Sequence, residues 1–214
     1  MPARGRPPAR AGSVPEPAGG SGLREHALLF GRFLRRPRSI GAIAPSSQAL
    51  AREMVRGLDM SGAARIVELG AGTGAFTAAI LERIGRDGRF LAVEIEPAFV
   101  ERLRARWSSL DCVCASAADL QSLLAARTLG PVDHIVSGLP FASLPADVTR
   151  GVLDAIEGSL RPGGTFSTFQ YVHAYRLPPA VAFRRDMQRR FSQVCAPRLV
   201  LWNIPPAWVL RWRR

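Results

Sequence analysis

The chain contains no lysine. All 29 of its basic side chains are arginine, against 17 acidic ones, for a net charge of +12 and a pI of about 11.4. It also lacks any stretch near the roughly 18 consecutive apolar residues of a membrane-spanning helix. Its first twenty residues lack the apolar run of a secretory leader, so a cytoplasmic protein is expected. Only three cysteines occur. Cys112 and Cys114 alternate with Val113 on one presumptive strand, Cys195 is far off and no histidine cluster accompanies them, so no metal is expected. No internal repeat is present.

The 214 residues suit one compact domain with a modest appendage. The arginine excess has two sources. A GC-rich coding bias favours Arg, Ala, Gly and Pro; an anionic partner, nucleic acid or an acidic membrane, favours a positive surface. Arginine is also the better fork for phosphate.

Three regions follow. Residues 1–21 are Pro, Ala, Gly, Ser and Arg with little to bury, and read as a disordered basic tail. Residues 22–58 hold two helical patterns and a cap over the active site. The first pattern places Leu23, Ala27, Phe30, Phe33 and Leu34 at helical spacing among Arg24, Arg32, Arg35 and Arg36, and Pro37 ends it. This basic amphipathic helix packs on the domain or lies on an anionic membrane surface; both readings are open. An apolar loop, Ser39–Ser47, follows. Ser46 or Ser47 can then cap a helix over 47–57 carrying Leu50, Met54, Val55 and Leu58. Residues 59–214 alternate strand and helix patterns. Strands are expected at 65–69, 89–94, 111–115, 132–137 and 165–172, and helices at 75–84, 97–107, 119–127, 146–160 and 178–190. Two more strands break at Pro205-Pro206. That alternation predicts an α/β fold: a doubly wound, mainly parallel Rossmann-like sheet, seven-stranded once a terminal hairpin closes it.

Glu68-Leu-Gly-Ala-Gly-Thr-Gly74 stands directly after a buried strand and before a helix. Glycines at 70, 72 and 74 permit a tight turn and close backbone approach to a ligand. The spacing is G-x-G-x-G with an acid in front, which resembles motif I of class I S-adenosylmethionine (SAM)-dependent methyltransferases. Glu94 ends the second strand, where a carboxylate can accept from both ribose hydroxyls. Expected cofactor contacts are Glu68, Gly70, Ala71, Gly72, Thr73, Gly74, Glu94, Ile95, Ser116, Ala117 and Ser137. Glu68 either anchors the methionine amino group or braces the loop amides. At the end of the third strand, Ser116 stands where related enzymes usually carry an adenine-binding Asp. Adenine is expected to be held by backbone groups and Ser116, with Asp119 capping the next helix.

Three motifs are more specific: Gly41-Ala-Ile-Ala-Pro-Ser-Ser47, Ser137-Gly-Leu-Pro-Phe141 and Asn203-Ile-Pro-Pro-Ala207. With motif I they make the chain similar to the bacterial phospholipid N-methyltransferases of Rhodobacter type, which are built like rRNA adenine dimethylases. The resemblance runs from about residue 26 to the C-terminus. It implies SAM as cofactor and methylation of the amine of phosphatidylethanolamine toward phosphatidylcholine, by an enzyme docked peripherally on the inner face of the cytoplasmic membrane. No nucleic acid or protein partner is expected.

Transfer to an amine is an in-line displacement that requires a desolvated, deprotonated nitrogen held near the methyl group. Gly138 and Leu139 offer a backbone carbonyl to that amine. Phe141 offers an aromatic face to the growing cation, or is simply a core aromatic. Tyr171, His173 and Tyr175 alternate, so one face carries all three if the strand persists. His173 then accepts the amine proton, binds the lipid phosphate or is structural. Ser46, Ser47 and Arg176 are candidate lipid-phosphate contacts; Arg184, Arg185, Arg189 and Arg190 grip phosphate or form a solvated helix face. Two other functions compete: an rRNA adenine dimethylase-like enzyme, disfavoured by Gly138 in place of the usual Asn and by the lack of a C-terminal helical module, and a SAM-fold binding protein without catalysis.

Overall fold

A computed structural model describes residues 46–214. The basic tail, the amphipathic segment 22–36 and most of the Gly41–Ser47 motif lie outside the described residues. The chain runs α1 (Gln48–Val55), β1 (Arg65–Leu69), α2 (Ala75–Leu81), β2 (Arg89–Glu94), α3 (Pro97–Arg106), β3 (Asp111–Cys114), α4 (Leu120–Ala126), β4 (Val132–Ser137), α5 (Ala146–Ser159), β5 (Leu160–Tyr171), α6 (Pro178–Arg190), β6 (Ser192–Gln193), β7 (Arg198–Val200) and β8 (Ala207–Arg213). Short 3₁₀ turns occupy Ala117–Asp119 and Val172–Ala174.

One sheet has the order β3-β2-β1-β4-β5-β8-β6, with β7 also on β8. Strands β1 to β5 are parallel and β8 is antiparallel to β5. The expected seven-position sheet is therefore present, but its last position is shared by two short pieces. β6 pairs with the end of β8 and β7 with its start. Strand β5 begins five residues earlier than expected, because Leu160 already pairs with Val132 and a register shift absorbs Arg161–Gly164 before Thr165 meets His134.

Both sheet faces are covered, as the apolar strands require. In β1, Ile66 and Glu68 face one side and Val67 and Leu69 the other. Leu50 and Met54 of α1, and Phe76 and Ile80 of α2, pack on Ile66, Val136 and Phe169. Val100 and Leu103 of α3 extend that layer over Ala92 and Cys112. Leu124, Leu153, Ile156, Phe183 and Met187, from α4 to α6, pack on Val67, Ile135, Phe166 and Trp212 on the opposite side. The strand order reverses between the parallel neighbours β1 and β4, and it is at the carboxyl ends of the strands beside such a reversal that open α/β sheets bind ligands.

Candidate active site

The loop after β1 is held open by its own backbone. Gly70, Gly72 and Gly74 all have positive φ, +52° at Gly72. A Cβ placed on Gly72 would meet nothing within 4 Å among the described residues, so the loop bounds open space at that point. On its other side the loop is backed by the turn after β4. Gly138 N–H donates to Leu69 O at 2.8 Å. A Cβ on Gly138 would lie 2.6 Å from Gly70 O, a contact that only a glycine avoids. The cofactor loop and the expected acceptor edge are thus in direct backbone contact.

Two buried carboxylates flank the loop. Glu94 is 2% exposed. Its Oε2 accepts from Gly72 N–H at 2.7 Å, and its Oε1 accepts from Ile95 and Glu96 N–H at 2.8 and 2.9 Å. The carboxylate therefore locks the glycine loop to the end of β2, beyond the ribose role expected of it. Burial raises its pKa against these hydrogen bonds. Glu68 is fully buried, and burial pushes its pKa up to about 8. Thr77 Oγ1 donates to its Oε2 at 2.6 Å. Its Oε1 has no hydrogen-bond partner among the described residues. A buried acceptor in that state is costly, and a hydrogen-bond donor such as an amino group would satisfy it. Sequence reasoning missed Thr77; its place one turn into α2, on the face turned toward β1, was the available signal.

The residues present therefore fit SAM: an orphaned buried carboxylate oxygen for the amino group, open space above Gly72, and an oriented carboxylate at the end of β2. Ala71 is buried and Thr73 exposed, on the same turn. Ser116 and Ala117 follow β3 half-buried, but Ser116 Oγ accepts from Ala118 N–H at 3.2 Å and so caps the 3₁₀ turn. Asp119 occupies the N-cap position of α4 but makes no side-chain cap, contrary to expectation, because it is itself the last residue of the 3₁₀ turn that runs directly into the helix. Ser137 is fully buried; its Oγ accepts from Leu139 N–H and its carbonyl from Thr168 Oγ1. Its side chain thus shapes the turn from within.

Three expectations at the acceptor edge need correction. Phe141 is 3% exposed and stacked on Phe183, centroids 4.5 Å apart and planes 20° from parallel, with Phe166 at its edge. It belongs to the core under α6 and offers no free face to a cation. Next, β5 stops at Tyr171 and the chain enters a 3₁₀ turn, so the alternation that would align Tyr171, His173 and Tyr175 is lost. The turn still stacks His173 on Tyr171, at 5.6 Å and 12°, whereas Tyr175 tilts toward Trp208 and receives the Arg184 guanidinium 3.8 Å from its ring centroid. Last, Arg184 also donates to Gln170 and the Tyr175 carbonyl, and Arg190 to Asp154, Glu157 and Asp186. Neither is a free phosphate ligand. Arg176 and His173 are exposed at the rim. Leu139 is buried, its side chain against Gly70.

Ser47 caps α1, its Oγ accepting from Leu50 N–H at 3.2 Å, and Ser46 is half-buried beside it. Ser47 N–H donates to Asn203 Oδ1 at 2.8 Å, which brings two of the three specific motifs together. Burial raises the thiol pKa of Cys112 to about 11, so it is a packing residue. Among the described residues no helix is long and apolar enough to cross a membrane.

Residues 67–166 match the methyltransferase domain family. The chain is 34% identical over 191 residues to the ornithine lipid N-methyltransferase of Singulisphaera acidiphila, covering 86% of this chain and 94% of that relative. Among solved structures it is similar to the 1,6-didemethyltoxoflavin-N1-methyltransferase of Burkholderia thailandensis with bound S-adenosylhomocysteine, at 20% identity and TM-score 0.62, over 94% of this chain and 93% of that one. It is also similar to the N-methyltransferase NodS of Bradyrhizobium japonicum, at 16% identity and TM-score 0.61, over 77% and 93%. At those identities the structural likeness is one of fold.

Proposed function

The chain belongs to the SAM-dependent methyltransferases, in the family that includes the ornithine lipid N-methyltransferase of S. acidiphila, and we propose that it methylates the primary amine of a membrane aminolipid. The observation that carries the lipid reading is the match to that relative along nearly its whole length. It favours the free amine of an ornithine lipid. Phosphatidylethanolamine, which the sequence motifs imply, is the second candidate, since both present a primary amine beside an anionic group.

Bound SAM supplies an electrophilic methyl group on a sulfonium sulfur. The chain's own residues hold and orient. Glu68 takes the amino group of the methionine end on its unpartnered Oε1, and Glu94 takes the ribose. The carbonyls of Gly138 and Leu139 accept from the substrate amine and aim its lone pair, on a turn in backbone contact with the cofactor loop. The stacked Tyr171–His173 pair takes over the cation-facing role expected of Phe141, and His173 accepts the amine proton. Arg176, Ser46 and Ser47 hold the anionic group of the lipid head. The basic segment 22–36 holds the enzyme on an anionic membrane surface, peripherally and from the cytoplasmic side.

The test is mass spectrometry of lipids after the purified chain and SAM act on vesicles containing either ornithine lipid or phosphatidylethanolamine. Methylated product from either supports the reading and identifies the head group. Methylated RNA with neither lipid altered overturns it in favour of an RNA methyltransferase.

A further inference from the structure

The connection between β7 and β8 carries its side chains in an unusual order. Asn203 is 1% exposed, while its neighbours Trp202 and Ile204 are 87% and 80% exposed and Leu201 is 65% exposed. The exposure is imposed by the fold. Asn203 accepts from Ser47 N–H, and its amide donates to Pro205 O at 2.7 Å. With Asn203 anchored inward, the residues on either side of it must point out.

The position of this loop matters as much. Ala207 pairs with Tyr171, and Val172 N–H donates to Pro206 O at 2.9 Å. The loop therefore sits at the carboxyl edge of the sheet, beside the end of β5. Val172 and Leu177, in the connection that follows β5, are also exposed. The apolar tip and the site entrance share one rim.

The charge around it selects the partner. No Asp or Glu occurs between Glu157 and Asp186, nor from Asp186 to the C-terminus. The exposed Arg176 stands at this rim, Arg198 on the adjoining β7 is ion-paired with Glu53, and Arg213 and Arg214, at the far end of β8, belong to the opposite edge of the sheet. A rim that is apolar and cationic repels a second copy of itself. Residues 1–45 carry eight arginines against Glu16 and Glu25, so they are mismatched to it as well. An anionic lipid surface satisfies both properties: acyl chains receive the apolar tip, a lipid phosphate receives Arg176, and an indole sits well at the boundary between them.

We propose that the Leu201–Ile204 loop is a membrane-inserting wedge that seats the site entrance on an anionic bilayer. This rests on the aminolipid reading only for its purpose; the insertion is measured without any methylation.

The experiment uses the full chain and vesicles of phosphatidylglycerol and phosphatidylethanolamine with bromine in the acyl chains, at about 0.5 M salt to shorten electrostatic reach to a few Å. Tryptophan emission is expected to shift to the blue and be quenched in wild type, and W202F is expected to lose the quenching. Leu201→Ser with Ile204→Ser is expected to lower vesicle partitioning about tenfold or more, with calorimetric SAM binding unchanged. Equal quenching in W202F, or equal partitioning of the double variant, overturns the proposal. So does a Trp202-dependent dimer in sedimentation, or a lipid-free emission already blue that turns red when residues 1–45 are deleted. Absence of methylated lipid alongside intact bromine quenching would count against the aminolipid reading and leave the wedge standing.

Discussion

Asn203 and Ser47 are 156 residues apart in sequence and joined by one hydrogen bond of 2.8 Å, from the Ser47 backbone to the Asn203 side chain. Asn203 is the only asparagine in the chain. The link fixes the start of α1, which Ser47 caps, to the loop that precedes β8. Asn203→Asp keeps the acceptor, loses the donor to Pro205 O and buries a charge. Asn203→Ala loses both bonds. Each is expected to destabilise the protein by about 1–3 kcal/mol, with Asp the worse of the two above neutral pH. Thermal unfolding against pH separates them: the Asp variant recovers stability as the pH falls and its carboxyl protonates, and the Ala variant does not.

Glu68 makes the cofactor-free protein sensitive to pH. Burial raises its folded-state pKa to about 8 from an unfolded 4.5, so the folded state holds the proton more tightly. That stabilising contribution is complete below pH 4.5 and is lost as pH rises through about 8. Glu68→Gln carries no such proton. Without SAM it is expected to be more stable than wild type above pH 8, on the order of a few kcal/mol. It is also expected to bind SAM far more weakly, because an amide oxygen cannot neutralise the amino group. Wild-type SAM affinity should rise with pH up to about 8 with proton release on binding. Calorimetry in buffers of different ionisation enthalpy measures that proton directly, and zero release contradicts the amino-group role.

Glu94 has a dual task, and its variants divide accordingly. Loss of two charge-assisted hydrogen bonds at about 1.5 kcal/mol each predicts roughly a 100-fold weaker SAM affinity for Glu94→Ala. The variant also frees Gly72, Ile95 and Glu96 N–H from a shared acceptor. Hydrogen exchange at those amides should therefore accelerate even without ligand. Calorimetric affinity equal to wild type would remove Glu94 from the cofactor site, and unchanged exchange would remove it from the loop.

The cofactor half of the site was legible because it is contiguous. Strand, glycine loop, helix and terminal acid follow one another within thirty residues, and each leaves a local pattern. The acceptor half was not. Phe141 reads equally well as a site aromatic or a core aromatic until Phe183, from a helix forty residues later, covers its face. Tyr171, His173 and Tyr175 alternate as a strand would, yet the sheet ends at Tyr171, where its partner strand β8 begins with Ala207. The Asn203 motif was visible as a motif, but no local pattern announces a partner on α1. The doubly wound, mainly parallel character of the sheet followed from the βα alternation, while the sharing of its last position by β6 and β7 depends on where a short edge strand finds backbone to pair with.

Gly72 and Gly138 provide the sharpest contrast between ligand and fold. Alanine at Gly138 puts a methyl 2.6 Å from Gly70 O, backbone against backbone, with no side chain able to yield. Gly138→Ala is expected to cost about 1–3 kcal/mol of stability and to displace both the cofactor loop and the acceptor turn. Alanine at Gly72 meets nothing within 4 Å among the described residues and carries only the strain of φ +52°, about 1–2 kcal/mol. If the space above Gly72 belongs to SAM, Gly72→Ala must lose much more affinity than its stability loss accounts for. The comparison is therefore between two measurements on two variants. Gly138→Ala should lower Tm and affinity together, and a second-site stabilising substitution should restore both. Gly72→Ala should keep most of its Tm, and no stabilising substitution should recover its SAM binding. Full affinity in Gly72→Ala would mean that the cofactor does not lie over the loop.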